Sequence, residues 1–362
     1  MKTTGEHDAL DLDVVRAQYT PATTYLNTAS SGLLPARAAD AMREAIAGMT
    51  EGRPTDALFE DVEEARAAFA RIAGVPVSRV ATGASVAVHT GLIAASLPEG
   101  AEVLTAEGEF SSTVNPFHVR AGLKVRTVPL AALAESVRPG TALVAVSAVQ
   151  SADGRVVDLA ELRSVTRAHG ARLYVDASQA AGWFPLAGHA ATADYVTSVA
   201  FKWLTCPRGA AFFVGPGDAE GFEALTPVFG GWVAGERPWD SCYGPVTEPA
   251  RSARRFDETP GLVAYAGARR SLALIEELGT DAIRAHGLAL ADRFRTGLAA
   301  LGHEPVPSPG SPIVSVPALG RRRSELQAQG IELSDRAGNL RASFHLYNTP
   351  ADVDSLLEAL ST

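Results

Sequence analysis

The chain has 362 residues, 46% of them hydrophobic and 20% charged, with a formal net charge of −9. That length allows two domains, or one large and one small, and the composition is that of a globular protein. No apolar run reaches the roughly 18 residues that span a bilayer, and no concentrated basic stripe makes nucleic acid a partner.

The first segment, "MKTTGEHDALDLDVVRAQYT", is polar and acidic. It lacks the apolar core of a signal peptide, so a cytoplasmic location is expected. Helical spacing follows at 35–52 and 58–75. Residues 80–97, "VATGASVAVHTGLIAASL", read as a short strand that ends at Thr82-Gly83-Ala84-Ser85 and turns into a helix. Apolar, β-branched runs at 101–106, 123–130, 141–149, 171–177 and 193–200 predict buried strands. A helical stretch at 158–170 separates two of them and ends in Gly170 as a C-cap. Alternating strands and helices predict an α/β fold: a mostly parallel central sheet flanked by helices.

The segment 237–260 is rich in proline and polar residues and has no clear period, so a long loop is expected there. Beyond it, 261–279 and 281–302 read as helices, 311–317 and 339–348 as strands, and 350–360 as a closing helix. The expected organisation is an N-terminal segment (1–20) packing on a smaller domain, a large domain (21–250) and a small C-terminal α+β domain (251–362). "GRRRSEL" at 320–326 reads as a solvated helix start.

Three elements carry chemistry. Lys202 stands among apolar neighbours in "SVAFKWLTCPRGAAFFVG". An ammonium there is costly unless it is paired, neutral or modified. Asp176 ends the strand in "LYVDASQAAG", and ligands of open α/β sheets gather at such strand ends. The helix start after Gly83 offers free N–H groups to an anion. Singly, each has an ordinary structural reading: a snorkelling lysine, a helix cap, a tight turn. Jointly they specify pyridoxal 5′-phosphate, which needs a Schiff-base lysine, an acid at its ring nitrogen and a phosphate seat. Cys206 and Cys242 are the only cysteines. They have no metal-type spacing and are too few for a disulfide scaffold.

"YLNTASSGLLP" (25–35), "TGAS" (82–85), "VDASQAAG" (175–182), "FKWLTCPRGAAFF" (201–213), "FDETP" (256–260) and "RASFHLYNTPADVDSLLEAL" (341–360) together resemble the aminotransferase class V family of fold-type I pyridoxal-phosphate enzymes. The resemblance covers nearly the whole chain. It implies that Lys202 carries the cofactor, Asp176 pairs with the ring nitrogen and Phe110 stacks on the ring. It places Gln179 and Ser151 near the phenolic oxygen, and Ala84, Ser85 and Ser198 at the phosphate. Thr259 is implied to reach the phosphate of a second subunit, hence a homodimer with composite sites. Arg341 is implied to hold the substrate's α-carboxylate, with Asn27 beside it.

Departures from the family's cysteine desulfurases narrow the reaction. Phe201 stands where relatives have a His or Tyr before the lysine. Ser151 stands where desulfurases have Asn. "GIELSDRAGNLRASF" is short and has no cysteine where desulfurases carry the persulfide-forming one. "GWVAGERPWDSCYGP" (231–245) and "ARRFDETP" (253–260) with "RAGNLRASFHLYNTP" (336–350) resemble ergothioneine-type C–S lyases, which implies β-elimination on a cysteine S-conjugate or its sulfoxide. The alternatives are an aminotransferase, an epimerase, an oxidative or decarboxylative deaminase acting on an S-alkyl cysteine, and a cysteine desulfurase. A non-catalytic paralogue is disfavoured because Lys202, Asp176 and Arg341 are all present.

Overall fold

A computed structural model describes residues 9–361; the expectation for residues 1–8 lies outside the described residues. Helix α1 (Leu12–Gln18) is capped by Asp11, whose carboxylate accepts the N–H groups of Asp13 and Val14. Strand β1 (Thr24–Tyr25) and helices α2 (Ala36–Thr50) and α3 (Asp56–Ala73) follow. The strand–helix alternation then runs β2 (Val80–Gly83), α4 (Val86–Ser96), β3 (Glu102–Ala106), α5 (Ser111–Val119), β4 (Lys124–Val128), β5 (Thr141–Ser147) and α6 (Leu159–Ala168). It continues through β6 (Arg172–Asp176), α7 (Ala187–Ala190), β7 (Tyr195–Val199), β8 (Ala211–Val214) and α8 (Ala219–Glu223).

These strands form one seven-stranded sheet in the order β2-β8-β7-β6-β5-β3-β4. Strand β8 runs antiparallel to both β2 and β7, while β3 to β7 pair in parallel. Every residue of β2, β7 and β8 is buried. The central strands have both faces covered and are apolar nearly throughout, while the edge strand β4 is partly exposed. The expected α/β architecture with a mostly parallel sheet is therefore present. The segment 237–260 holds only short 3-10 turns, at Pro238–Ser241 and Ala253–Phe256.

The last third contains α9 (Leu262–Leu278), α10 (Thr280–Ala300), β9 (Ile313–Val316), α11 (Arg323–Ala328), β10 (Ile331–Glu332), β11 (Ser334–Arg336), β12 (Asn339–Ser343) and α12 (Pro350–Ser361). Strands β11, β12 and β9 form an antiparallel sheet. A second core forms there, with Phe294, Val314, Phe344 and Leu356 buried together. Leu26 joins that core, and β1 pairs in parallel with β10. Tyr265, Leu272 and Ile275 of α9 bury instead in the main core. Val15 and Tyr19 of the N-terminal segment also enter the main core. The Tyr19 hydroxyl bonds Thr205 at 3.0 Å, and its ring lies 5.2 Å from that of Tyr347 in the C-terminal third. A division into two domains at residue 250 remains our proposal, with α9 packed on the larger core.

Candidate active site

Strands β6 and β7 lie side by side in parallel, with Asp176 opposite Thr197. Their C-terminal ends bring Asp176 and Lys202 to the same edge of the sheet. Asp176 is buried. Its Oδ2 accepts from the Thr113 hydroxyl at 2.6 Å and its Oδ1 from the Ser178 N–H at 2.8 Å. Lys202 lies in the tight turn after β7. The turn is closed by a bond from the Cys206 N–H to the Ala200 carbonyl and by Thr205 at φ +52°. Residues 29–33 press on this turn, and the Gly32 N–H donates to the Phe201 carbonyl at 2.8 Å. A Cβ on Gly32 would stand 2.1 Å from the Lys202 carbonyl oxygen, so only glycine fits there.

The Lys202 amine is buried and sits 5.0 Å from the centre of the Phe110 ring. Burial pushes its pKa down to about 8. Asp176 opposes that shift, while the guanidinium groups of Arg341, Arg336 and Arg208 add to it. A cavity of about 390 Å³ opens beside the amine. Its wall includes Ser85, Phe110, Ser151, Asp176, Phe201 and Lys202, with Ser30, Ser178, Arg208 and Arg336. Helix α4 starts at this wall, and the Ser85 hydroxyl caps it by accepting from the Val88 N–H. The Ala84 N–H is held by the carboxylate of Glu258. A carboxylate of the chain itself thus occupies the helix start, the behaviour of an anion seat.

The structure gathers most of the residues singled out from sequence, and some it does not. Ser151 lines the cavity, while Gln179 lies behind it. Gln179 donates to the Ser151 hydroxyl at 3.0 Å and the Ala29 carbonyl at 2.9 Å, and accepts from the Trp203 indole at 2.7 Å. Arg341, on β12, is almost wholly buried. It donates to the Ser334 hydroxyl at 3.1 Å, the Ser30 hydroxyl at 2.8 Å and both the carbonyl and hydroxyl of Ser151. All of these partners are neutral. The Oδ1 of Asn27 is buried without a hydrogen-bond partner. Ser198 is fully buried, and its hydroxyl donates to the Val199 carbonyl at 3.0 Å instead of joining the cavity wall. Thr259 is exposed and outside this chain's cavity, with its hydroxyl oxygen near Gly231.

Several residues enter the site without having been singled out. Thr113 orders Asp176. Glu109 accepts from the Ser147 N–H and hydroxyl and from Gln150, holding the strand ends around Phe110. Burial raises the Glu109 pKa. Ser30, Arg208, Arg336 and Glu258 complete the set. Ser30 lies within the quoted "YLNTASSGLLP", but its partners come from the far end of the chain. Among the described residues there is no group of His, Cys, Asp or Glu fit to hold a metal, and no helix long and apolar enough to cross a membrane.

The residues present fit the expected cofactor. One cavity joins an amine with a lowered pKa, a buried carboxylate with both oxygens ordered, and a helix start that takes an anion. The model of the aminotransferase class-V family matches residues 24–356. The chain is 28% identical to a kynureninase of Xanthomonas oryzae pv. oryzae, over 86% of this chain and 81% of that one. It is 28% identical to isopenicillin N epimerase of Amycolatopsis lactamdurans, over 94% and 95%. Among solved structures, the cystine C–S lyase C-DES in complex with its product cysteine persulfide shares the fold at a TM-score of 0.84. That match has 24% identity and covers 94% of this chain and 97% of the other. Fold, cavity and a match over more than nine-tenths of its length thus agree that the chain belongs to the aminotransferase class-V family, whose fold-type I enzymes work with pyridoxal 5′-phosphate.

Proposed function

We propose that the protein is a carbon–sulfur lyase that performs β-elimination on a cysteine S-conjugate or its sulfoxide. The products are a thiolate or sulfenate, pyruvate and ammonia. The observation that carries this reading is a base without a thiol. The Lys202 amine stands in the cavity with its pKa lowered to about 8, and neither cysteine lines that cavity. Cys206 is buried, donates to the Leu204 carbonyl at 3.3 Å, and has its thiol pKa pushed up by burial. Cys242 is exposed in the segment 237–260. Persulfide chemistry needs a thiolate at the substrate sulfur, so elimination is favoured over desulfuration.

Pyridoxal phosphate, when bound, supplies an electron sink that makes the substrate's Cα–H acidic. Lys202 holds the cofactor and, when its amine is free, takes the Cα proton. The β-carbon–sulfur bond breaks and its electron pair leaves on sulfur. The three-carbon remnant then takes up water to give pyruvate and ammonia. Asp176, fixed by Thr113 and the Ser178 N–H, keeps the ring nitrogen protonated. Ala84 and Ser85 seat the phosphate at the start of α4. Phe110 covers the ring, while Gln179 holds Ser151 in place at the wall. Arg341 clamps the α-carboxylate through its planar fork, with Asn27 beside it.

A homodimer belongs to this proposal. Thr259 and Phe229 are exposed, and Phe229 lies against Gly91 of α4. That placement suits residues that complete a second subunit's site. The lyase reading is tested by incubating the holoenzyme with cysteine S-conjugates and their sulfoxides. Pyruvate and ammonia should appear in equal amounts, and Lys202→Ala should abolish both. Amino transfer to a keto acid without pyruvate, or racemised substrate, would overturn it.

A further inference from the structure

Strands β11 and β12 form a hairpin whose two-residue turn, Ala337-Gly338, has φ of +53° and +83°. Two successive positive φ values define the tight turn whose twist suits a hairpin. In this register Ser334 lies opposite Arg341, and Arg336 lies two residues beyond Ser334. Positions two apart share a face of a strand, so one hairpin face presents both Arg336 and Arg341. The two guanidinium groups also share an acceptor. Arg336 Nη2 and Arg341 Nη2 donate to the Ser30 hydroxyl at 2.9 and 2.8 Å. Their nitrogens are therefore under about 6 Å apart, a separation at which like charges disfavour each other.

Arg208 lines the cavity beside Arg336, with its guanidinium 4.0 Å above the centre of the Phe201 ring. Arg208 and Arg336 are exposed while Arg341 is buried. The cavity thus has two guanidinium groups at its rim, with Arg341 buried behind Ser30 and Ser151. Among the described residues the only acid on its wall is Asp176, and both oxygens of Asp176 are already engaged. No carboxylate forms an ion pair with Arg208, Arg336 or Arg341 among the described residues. The substrate's α-carboxylate would answer Arg341. The phosphate seat is at Ala84 and Ser85, whereas Arg336 is tied to Ser30. The rim cations are left without a counter-charge.

We propose that Arg336, with Arg208 on the same rim, forms a second anion subsite, and that the substrates of this cavity carry a carboxylate distal to their amino-acid end. The inference rests on the lyase reading for the identity of the scissile bond, but not for the binding of the second anion. It makes Arg336 a specificity-determining residue. A planar guanidinium beside a rigid hairpin turn suits bidentate capture of a carboxylate.

The test has a binding arm and a kinetic arm. Calorimetric titration of the holoenzyme with glutarate and valerate, which have equal carbon count and differ by one carboxylate, should show glutarate binding at least tenfold more tightly. Arg336→Gln should reduce that ratio below threefold, and Arg336→Lys should keep part of it. In the kinetic arm, kcat/KM for pyruvate release should favour S-carboxymethylcysteine over S-ethylcysteine at least tenfold, chiefly through KM, and Arg336→Gln should erase the difference. Equal binding of the two acids by the wild type, or a preference that survives Arg336→Gln, overturns the subsite. Equal pyruvate release from both conjugates overturns it too, while leaving the lyase reading standing. A glutarate preference lost in Arg336→Gln, with no pyruvate from either conjugate, supports the subsite and overturns the lyase reading.

Discussion

At the scale of single residues, Lys202 has a measurable signature of its own. The chain contains three lysines, Lys2, Lys124 and Lys202. With its pKa lowered to about 8, Lys202 exposes a neutral, reactive amine at lower pH than an ordinary lysine does. Reductive methylation of protein stripped of cofactor, followed peptide by peptide by mass spectrometry, should give Lys202 a pH midpoint near 8. Lys124, exposed on β4, serves as the internal reference. Identical profiles for the two lysines would remove the depression. Lys202 and Asp176 were legible in the sequence because each is a charged residue at or just past the end of an apolar strand. Their partners were not. Thr113 reaches Asp176 across 63 residues and Ser30 reaches Arg341 across 311, distances at which no local pattern operates. Ser198 shows the opposite failure. A serine on the right strand was expected in the site, but its hydroxyl is satisfied by the neighbouring Val199 carbonyl and turned inward.

At the scale of elements, the parallel strands were visible because burial on both faces writes them as uninterrupted apolar runs. The reversal of β8 was not visible. "AAFFV" is the same kind of run as its neighbours. Its direction is set by the turn at Thr205, where a positive φ and the Cys206–Ala200 bond fold the chain back. The loop 237–260 was legible from its lack of period, but its anchor was not. Asp257, near the loop's end, forms a bidentate pair with Arg66 of α3 at 3.0 and 2.6 Å and also accepts from the Thr82 N–H at 2.8 Å. Both side chains of the pair are buried. Asp257→Ala would remove the buried partner of Arg66 and leave the more exposed Glu63 as its only counter-charge, a loss of up to about 3 kcal/mol. Denaturant unfolding of the cofactor-free protein should register that loss. A change below about 1 kcal/mol would show that Glu63 alone satisfies the arginine. The same anchor holds Glu258 at the Ala84 N–H, so the variant should also loosen the start of α4.

At the scale of the molecule, the exposed apolar side chains are the main sign of a partner. Trp239 is 66% exposed and Tyr243 95%, both in the segment 237–260, and Phe110 and Phe229 are nearly half exposed. Large apolar groups left at the surface in number mark association. With the role proposed for Thr259 in a second subunit's site, they predict a dimer. Sedimentation equilibrium should return about twice the 37.7 kDa of one chain. A single species at the monomer mass would remove the composite site. The overall α/β plan was readable from alternation alone, whereas surface contacts that exist only between copies leave no periodicity to read.

The pairing of β1 with β10, and of Asn27 with Ser343, also fixes when the site can exist during synthesis. The strand order β2 to β8 is complete once β8 (Ala211–Val214) has been made. Residues 24–30, which supply Ser30 to the cavity, leave the ribosome long before their partners Arg336 and Arg341. They then wait for partners some 300 residues downstream, which at typical elongation rates is about 15–60 s. The sheet β2–β8 can therefore form while the pocket still lacks β11 and β12. The pocket's capacity to bind is completed when the β11–β12 hairpin closes over residues 24–30.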